Sequence, residues 1–314
     1  MTARCWHPVH DRSWHQQLSC CAVPSTAGSN HSFVAACVQF DVRKGDVQGN
    51  FQSAVAGITA AAASGATLAV LPEMWSTSFL TRYAPRTLQA TEDAERRLRE
   101  LSAKLGMVLV GSSVESAPEG VFNTARVYDR GQHLGSYRKI HLFSPNAEHR
   151  HYAAGDQPLV VPTSVGLLGV VICYDLRFPE LTRYCFHRGC EVLAVPSQWP
   201  EARAVHWRTL ARARAIENQC FVVGCNRTGH EGSLKNDDPL AFPGDSRIVD
   251  PMGEVLAAGH GEEQPLLAEI ELKRVRTMRR ILPIEKDERP EVYRRLYEQT
   301  AGEVQAKLRK GNKG

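Results

Sequence analysis

Three residues stand where apolar runs stop, and their chemistries complement one another. Cys173 closes the run Gly169-Val170-Val171-Ile172, Glu73 follows Val70-Leu71-Pro72, and Lys139 lies within Tyr137-Arg138-Lys139-Ile140. A thiol can attack a carbonyl carbon, a carboxylate can take the thiol's proton, and a cation can hold the oxyanion that forms. Breaking an amide through a thioester needs one of each. Taken singly, each residue has a plainer reading: Glu73 as a loop ion pair, Lys139 as a surface cation, Cys173 as an inert buried thiol. Cys173 also precedes a helix start at Pro179-Glu180, in a setting where unpaired backbone N–H groups favour a thiolate. Because α/β sheets collect their chemistry at strand ends, the three positions together favour the joint reading.

The elements that must position these residues alternate along the chain. Short apolar runs predict strands over 33–40, 68–71, 107–111, 166–172, 191–195 and 221–224, with two more at 245–249 and 266–270. Helices are expected over 50–64, closed by Gly65, and over 92–105, where Leu98, Leu101 and Leu105 recur at helical spacing before Gly106. Two further helices are expected at 179–187 and 203–218. Segments 123–128 and 134–140 read as a hairpin across Arg130-Gly131, and 141–162 reads as irregular. The alternation predicts an α/β fold with helices packed outside sheets.

Composition narrows the class. With 43% hydrophobic residues in 314, the chain can bury a large core, which excludes disorder over most of its length. No apolar run approaches the eighteen residues of a membrane span. The net charge of +4 is spread too thinly to call for a nucleic-acid partner. Nine cysteines, an odd number, argue against a secreted disulfide framework. The opening residues lack the basic-then-apolar pattern of a leader, so the chain is read as cytoplasmic. Residues 1–32 hold Cys5, Cys20, Cys21 and four histidines with neither CxxC nor HxxxH spacing, and read as a poorly ordered extension without a metal site. Toward the other end Lys273, Arg274, Arg276, Arg279 and Arg280 form a basic cluster, read as solvated or as subunit packing, and 298–314 reads as a charged tail.

The motifs around the three residues are specific. Leu71-Pro72-Glu73 with Phe79, then Tyr137-Arg138-Lys139-Ile140-His141-Leu142-Phe143, then Ile172-Cys173-Tyr174-Asp175-Leu176-Arg177-Phe178-Pro179-Glu180 resemble, in order and spacing, the nitrilase superfamily of carbon–nitrogen hydrolases with a Glu-Lys-Cys triad. The similarity covers about residues 33–297, taken as the hydrolase domain. Glu148-His149, Tyr152-Ala153-Ala154-Gly155-Asp156 and Gln198-Trp199-Pro200 resemble the bacterial ω-amidase-like branch.

That resemblance implies a four-layer α-β-β-α sandwich, commonly a homodimer or larger, with no cofactor and no metal. It implies hydrolysis of the terminal amide of a short dicarboxylate monoamide such as 2-oxoglutaramate. Glu73 would act as base, Cys173 as nucleophile, and Lys139 with the backbone N–H of Tyr174 as the oxyanion's donors. Glu148 matches a second glutamate that orients the lysine or the substrate. Trp199 is expected in the pocket wall, and Arg203 or Arg227 at the substrate carboxylate. Asp175, Arg177 and Glu180 read as a charge network positioning the turn after Cys173. Rival readings are another activity of the superfamily (on nitriles, N-carbamoyl compounds or modified glutathione), a non-catalytic binding protein of the same fold, and a thiol redox or metal-handling protein.

Overall fold

A period of two decides which way the central strands face. The computed structural model describes the backbone of residues 32–311 and the side chains of residues 32–302; of the expected extension over 1–32, all but Ser32, the first residue of a strand, lies outside it. Strands β1 (Ser32–Cys37), β2 (Ala66–Val70) and β3 (Val108–Ala117) run parallel side by side. Ala35, Cys37, Leu68, Val70, Val108 and Val110 point into the core shared with a second sheet, whereas Ala36, Ala69 and Leu109 point outward. The outward set is covered by helices α1 (Val47–Ala63) and α2 (Pro85–Leu105) through Ala54, Ile58, Ala61, Ala94 and Leu98. Both faces of this sheet are therefore buried, which is why its strands read as nearly unbroken apolar runs.

The first sheet continues antiparallel through β4 (Gly120–Asp129) and β5 (Gln132–Arg138), the hairpin expected across Arg130-Gly131. The chain then enters the second sheet through β6 (Leu159–Thr163) and β7 (Gly166–Val170), followed by helix α3 (Pro179–His187), β8 (Val192–Ser197), helix α4 (Ala204–Asn218) and β9 (Phe221–Asn226). A small hairpin, β10 (Thr228–Gly232) with β11 (Pro239–Pro243), leads to β12 (Arg247–Val249), β13 (Val255–Ala258) and β14 (Leu266–Glu271). The sheet orders are β14-β1-β2-β3-β4-β5 and β13-β12-β9-β8-β7-β6. Each sheet thus has a parallel trio joined by helices, one antiparallel strand on one flank and two on the other. The fold is the α-β-β-α sandwich of nitrilase type, with Leu181, Cys185, Trp207, Ala211 and Ala215 of α3 and α4 packing on the second sheet.

Several elements depart from expectation. The segment read as irregular contains β6, whose Pro162 is tolerated because β6 is an edge strand. The hairpin β10–β11 is short and punctuated by Gly229, Gly232, Pro239 and Pro243, so no alternation announces it. After β14 the chain is helical over Lys273–Ile281, Ile284–Asp287 and Pro290–Gly311, and the last of these runs across residue 297.

Gly155 pins the strand end that carries Lys139, donating its N–H to the Lys139 carbonyl at 2.8 Å. A Cβ on Gly155 would run into the Arg138 carbonyl oxygen, which cannot yield without moving that strand end. Gly155→Ala should therefore lower stability by about 1–3 kcal/mol. In the same thermal-melt series Gly302→Ala, on an open helix face, should be neutral or mildly stabilising. Equal melting temperatures for the two variants would contradict this account.

Candidate active site

Glu73 follows β2 and Cys173 follows β7, each in the parallel trio of its own sheet, while Lys139 follows the flanking strand β5. β2 gives way at Pro72, which has no N–H for the ladder, yet the chain stays stitched to β3: Leu71 N–H donates to Val110 O (2.7 Å) and Trp75 N–H to Ser112 O (2.9 Å). Glu73 is held between these bonds, and Met74 and Ser78 adopt φ of 47° and 53° as the loop folds back. Lys139 lies one residue past β5, with its N–H bonded to Asn123 O on β4 at 2.9 Å.

Cys173 follows β7 with φ of 45°, an uncommon conformation for a residue with a side chain, at the start of a 3-10 turn over Cys173–Arg177. Asp175 fixes that turn. Its carboxylate accepts from Ile172 N–H (3.0 Å), from the Tyr137 hydroxyl (2.7 Å), and from the N–H of His141 (2.9 Å), with His141 Nδ1 at 2.8 Å. The Cys173 turn of one sheet is thereby tied to the Lys139-bearing strand of the other.

The side chains meet in a pocket of about 450 Å³ lined by Glu73, Lys139, Glu148 and Cys173, with Phe79, Phe143 and Gln198 among the walls. Lys139 Nζ donates to Glu73 Oε1 at 2.8 Å and to both oxygens of Glu148 at 3.0 and 2.8 Å. All three of these side chains are about 1% exposed. Glu148 enters from a loop closed by its own carboxylate, which accepts the Phe143 N–H at 2.6 Å. Glu73 has two further donors: Asn123 Nδ2 on Oε1 (2.8 Å) and the Gln198 N–H on Oε2 (3.0 Å).

Burial alone would push the Lys139 ammonium down, but the charges of Glu148 and Glu73 outweigh it and hold the ammonium above the ordinary lysine range. Burial pushes the Glu148 carboxyl up against the pull of Lys139, and the nearby charge of Glu73 adds to the push. Burial and the charge of Glu73 push the Cys173 thiol well up, with Lys139 and the Gln198 N–H pulling the other way. The arrangement can move a proton from sulfur to Glu73 and offer N–H donors to a carbonyl oxygen bound above Cys173.

A second recess of about 240 Å³ opens beside the first and shares Phe143, Cys173, Gln198 and Pro200 with it. Trp199 and Tyr174 form its wall. Trp199 donates its indole N–H to the Arg203 carbonyl at 2.8 Å. The guanidinium of Arg203 lies over Phe143 and that of Arg177 over Trp199, and neither has a carboxylate partner among the described residues.

Arg227 is different. Its guanidinium is fully buried and donates to Asp41, Glu231, Ser78 and Gln198 and to the Thr228 carbonyl. It lines neither recess, so of the two arginines considered for a substrate carboxylate only Arg203 faces the site. The expected Asp175–Arg177–Glu180 network does not form either: Arg177 pairs with His206 Nδ1 (3.1 Å), and Glu180 accepts from the Tyr297 hydroxyl (3.1 Å). His141, half-buried and stacked parallel on Phe178, is committed to Asp175. Among the described residues no group of three or more His, Cys, Asp or Glu side chains is arranged as a metal site.

Sequence reasoning passed over Asn123, which sits in the middle of a strand with nothing to mark it. It also passed over Glu231 in the pocket wall, because the hairpin that delivers it was not foreseen.

Fold and pocket together define a carbon–nitrogen hydrolase. The sequence pattern of the carbon-nitrogen hydrolase family matches residues 34–280, and the chain belongs to that family. It is 36% identical over 260 residues to the 2-oxoglutaramate amidase of Bacillus subtilis (strain 168), covering 82% of this chain and 98% of that protein. It is 33% identical over 264 residues to the chloroplastic omega-amidase of Arabidopsis thaliana, covering 79% and 70%. The carbon-nitrogen hydrolase of Helicobacter pylori superposes with a TM-score of 0.78 at 27% identity, covering 85% of this chain and 98% of that one.

The raised proton affinities of Cys173 and Lys139 fix the sign of an alkaline effect. The unfolded chain releases these protons near the ordinary values of 9.0 and 10.5, while the folded protein keeps them. Their contribution is thus complete below those values and is lost as pH rises beyond them. Buried Cys185, Cys220 and Cys225 act in the same direction. The urea midpoint should fall as pH rises past about 9; a midpoint that holds or rises there would contradict this.

Proposed function

We propose that the enzyme hydrolyses the terminal amide of a short dicarboxylate monoamide, such as 2-oxoglutaramate, to the dicarboxylate and ammonia. One observation carries the reading: a buried thiol beside Glu73, Lys139 and Glu148 opens sideways onto a recess holding two guanidinium groups with no carboxylate partner among the described residues. An amide at the thiol and an anion at Arg203, with Arg177 alongside, use both. The relatives named as omega-amidase and 2-oxoglutaramate amidase support the same substrate class.

In this reading Glu73 takes the Cys173 proton as sulfur attacks the amide carbon. The oxyanion accepts from the Lys139 ammonium, which releases one of its two bonds to Glu148, and from the N–H of Tyr174. A donor of this kind contributes about 3–4 kcal/mol in comparable sites. Glu73 returns its proton to the nitrogen, the C–N bond breaks and ammonia leaves. The same carboxylate then takes a proton from water as the oxygen adds to the thioester, and the thiol is regenerated with its proton. Glu148 keeps Lys139 charged and aimed. The same reading takes the protein as a cytoplasmic homodimer or larger. The six described cysteines, all free and buried, support the compartment, and exposed Tyr184, Tyr293 and Tyr297 support the assembly.

Cys173→Ala, Glu73→Gln and Lys139→Ala should each abolish ammonia release without unfolding the protein, and a slow substrate should leave an acyl mass on Cys173 alone. Arg203→Ala should raise KM for succinamate roughly 10- to 100-fold, the loss of a charged hydrogen bond, while leaving uncharged butyramide unaffected. Ammonia release from a panel of 2-oxoglutaramate, succinamate, nitriles and N-carbamoyl compounds decides the substrate class. Clear nitrile hydrolysis with no ω-amide turnover would remove it.

A further inference from the structure

A carboxylate has about four lone-pair sites, two on each oxygen. On Glu73 both sites of Oε1 are taken, one by Lys139 Nζ and one by Asn123 Nδ2, each at 2.8 Å. On Oε2 one site is taken by the Gln198 N–H at 3.0 Å. A single lone pair remains, on the oxygen beside Gln198, whose N–H also neighbours the Cys173 sulfur. The proton that leaves sulfur therefore has one place to go.

Asn123 is the residue that closes the alternative. It is fully buried, and its amide nitrogen donates to Glu73, while its Oδ1 has no hydrogen-bond partner among the described residues. A buried amide that leaves its acceptor unpaired costs stability, so the bond to Glu73 is what the side chain is there to make. The backbone carbonyl of the same residue holds Lys139 N–H at 2.9 Å. One residue thus registers the base and the cation against each other.

We propose that Asn123 is a positioning residue that confines the transferred proton to Glu73 Oε2, the oxygen bonded to the Gln198 N–H. This rests on the reading of Glu73 as the base. Without the Asn123 donor, one site of Oε1 is open and can hold the proton, on the oxygen that Lys139 engages and the Gln198 N–H does not. The charged or titratable groups around this point are Glu73, Lys139, Glu148 and Cys173, with Glu231 across the pocket. Arg138 and Glu115 pair on the opposite face of the strand, the side to which Thr124 points.

The test compares Asn123→Ala and Asn123→Asp with the parent, as turnover per folded molecule across pH. In Asn123→Ala kcat should fall about tenfold with KM unchanged, because Asn123 does not line the pocket. Asn123→Asp keeps the shape and the backbone bond to Lys139. Protonated, its O–H donates to Oε1 as the amide does; ionised, it opposes Glu73. Its activity relative to the parent should therefore rise on acidification, by about tenfold per pH unit above its own ionisation, whereas the Asn123→Ala ratio stays flat. A flat or inverted ratio for Asn123→Asp, its inactivity at every pH, or parental kcat in Asn123→Ala would overturn the inference. Full activity of Glu73→Gln would instead remove the base itself, whereas an inactive Glu73→Gln beside a flat Asn123→Asp ratio removes only the role of Asn123.

Discussion

One buried cation between two buried carboxylates sets the terms for everything near it. A charge taken out of water is costly unless partners surround it, and Lys139 meets that condition only by engaging Glu73 and Glu148 together. The cluster carries one negative charge more than positive. The surplus is met by neutral donors, the N–H groups of Phe143 and Gln198 and the amide of Asn123. Burial and the charge of Glu73 push the Cys173 thiol up. A thiolate would be a third negative charge in a site with a single ammonium.

The backbone around this cluster is held as firmly as the side chains. Asp175 receives bonds from its own turn and from the strand and loop that carry Tyr137 and His141. Gln198 grips the Glu73 segment twice, by its N–H on the carboxylate and by its side-chain amide on the Glu73 carbonyl at 2.8 Å. Gln198 is in turn held by Ser78 and by Arg227, which Asp41 and Glu231 anchor. Arg227 thus acts through its neighbours and leaves the recess beside Trp199 to Arg203 and Arg177.

Much of this was legible in the sequence because strands buried on both faces read as apolar runs and stop abruptly where chemistry begins. Glu73, Lys139, Cys173 and Glu148 all stand out against such runs or sit in a specific motif. Asn123 does not, since a polar residue inside an antiparallel strand reads as the solvated half of an alternation, and only the pairing of the two sheets turns its face inward. Arg203 and Arg227 could not be told apart, because what separates them is which carboxylates the fold brings near: Asp41 and Glu231 saturate one, and no acidic side chain among the described residues pairs with the other. The hairpin carrying Glu231 failed to register because glycines and prolines replace the apolar residues that mark a strand. The equivalence of the two sheets is likewise invisible as a repeat, since it lies in the order and direction of strands.

That equivalence has a mechanical consequence. Glu73 and Lys139 belong to one sheet and Cys173 to the other, so the side chains of the pocket straddle the plane where the two sheets interdigitate. Sliding of one layer on the other by a fraction of a side chain would part sulfur from carboxylate while every helix and strand stayed intact. If these residues act as proposed, loss of turnover should be the earliest symptom of a loosened sandwich, arriving under mild chaotrope or pressure ahead of any spectroscopic sign of melting.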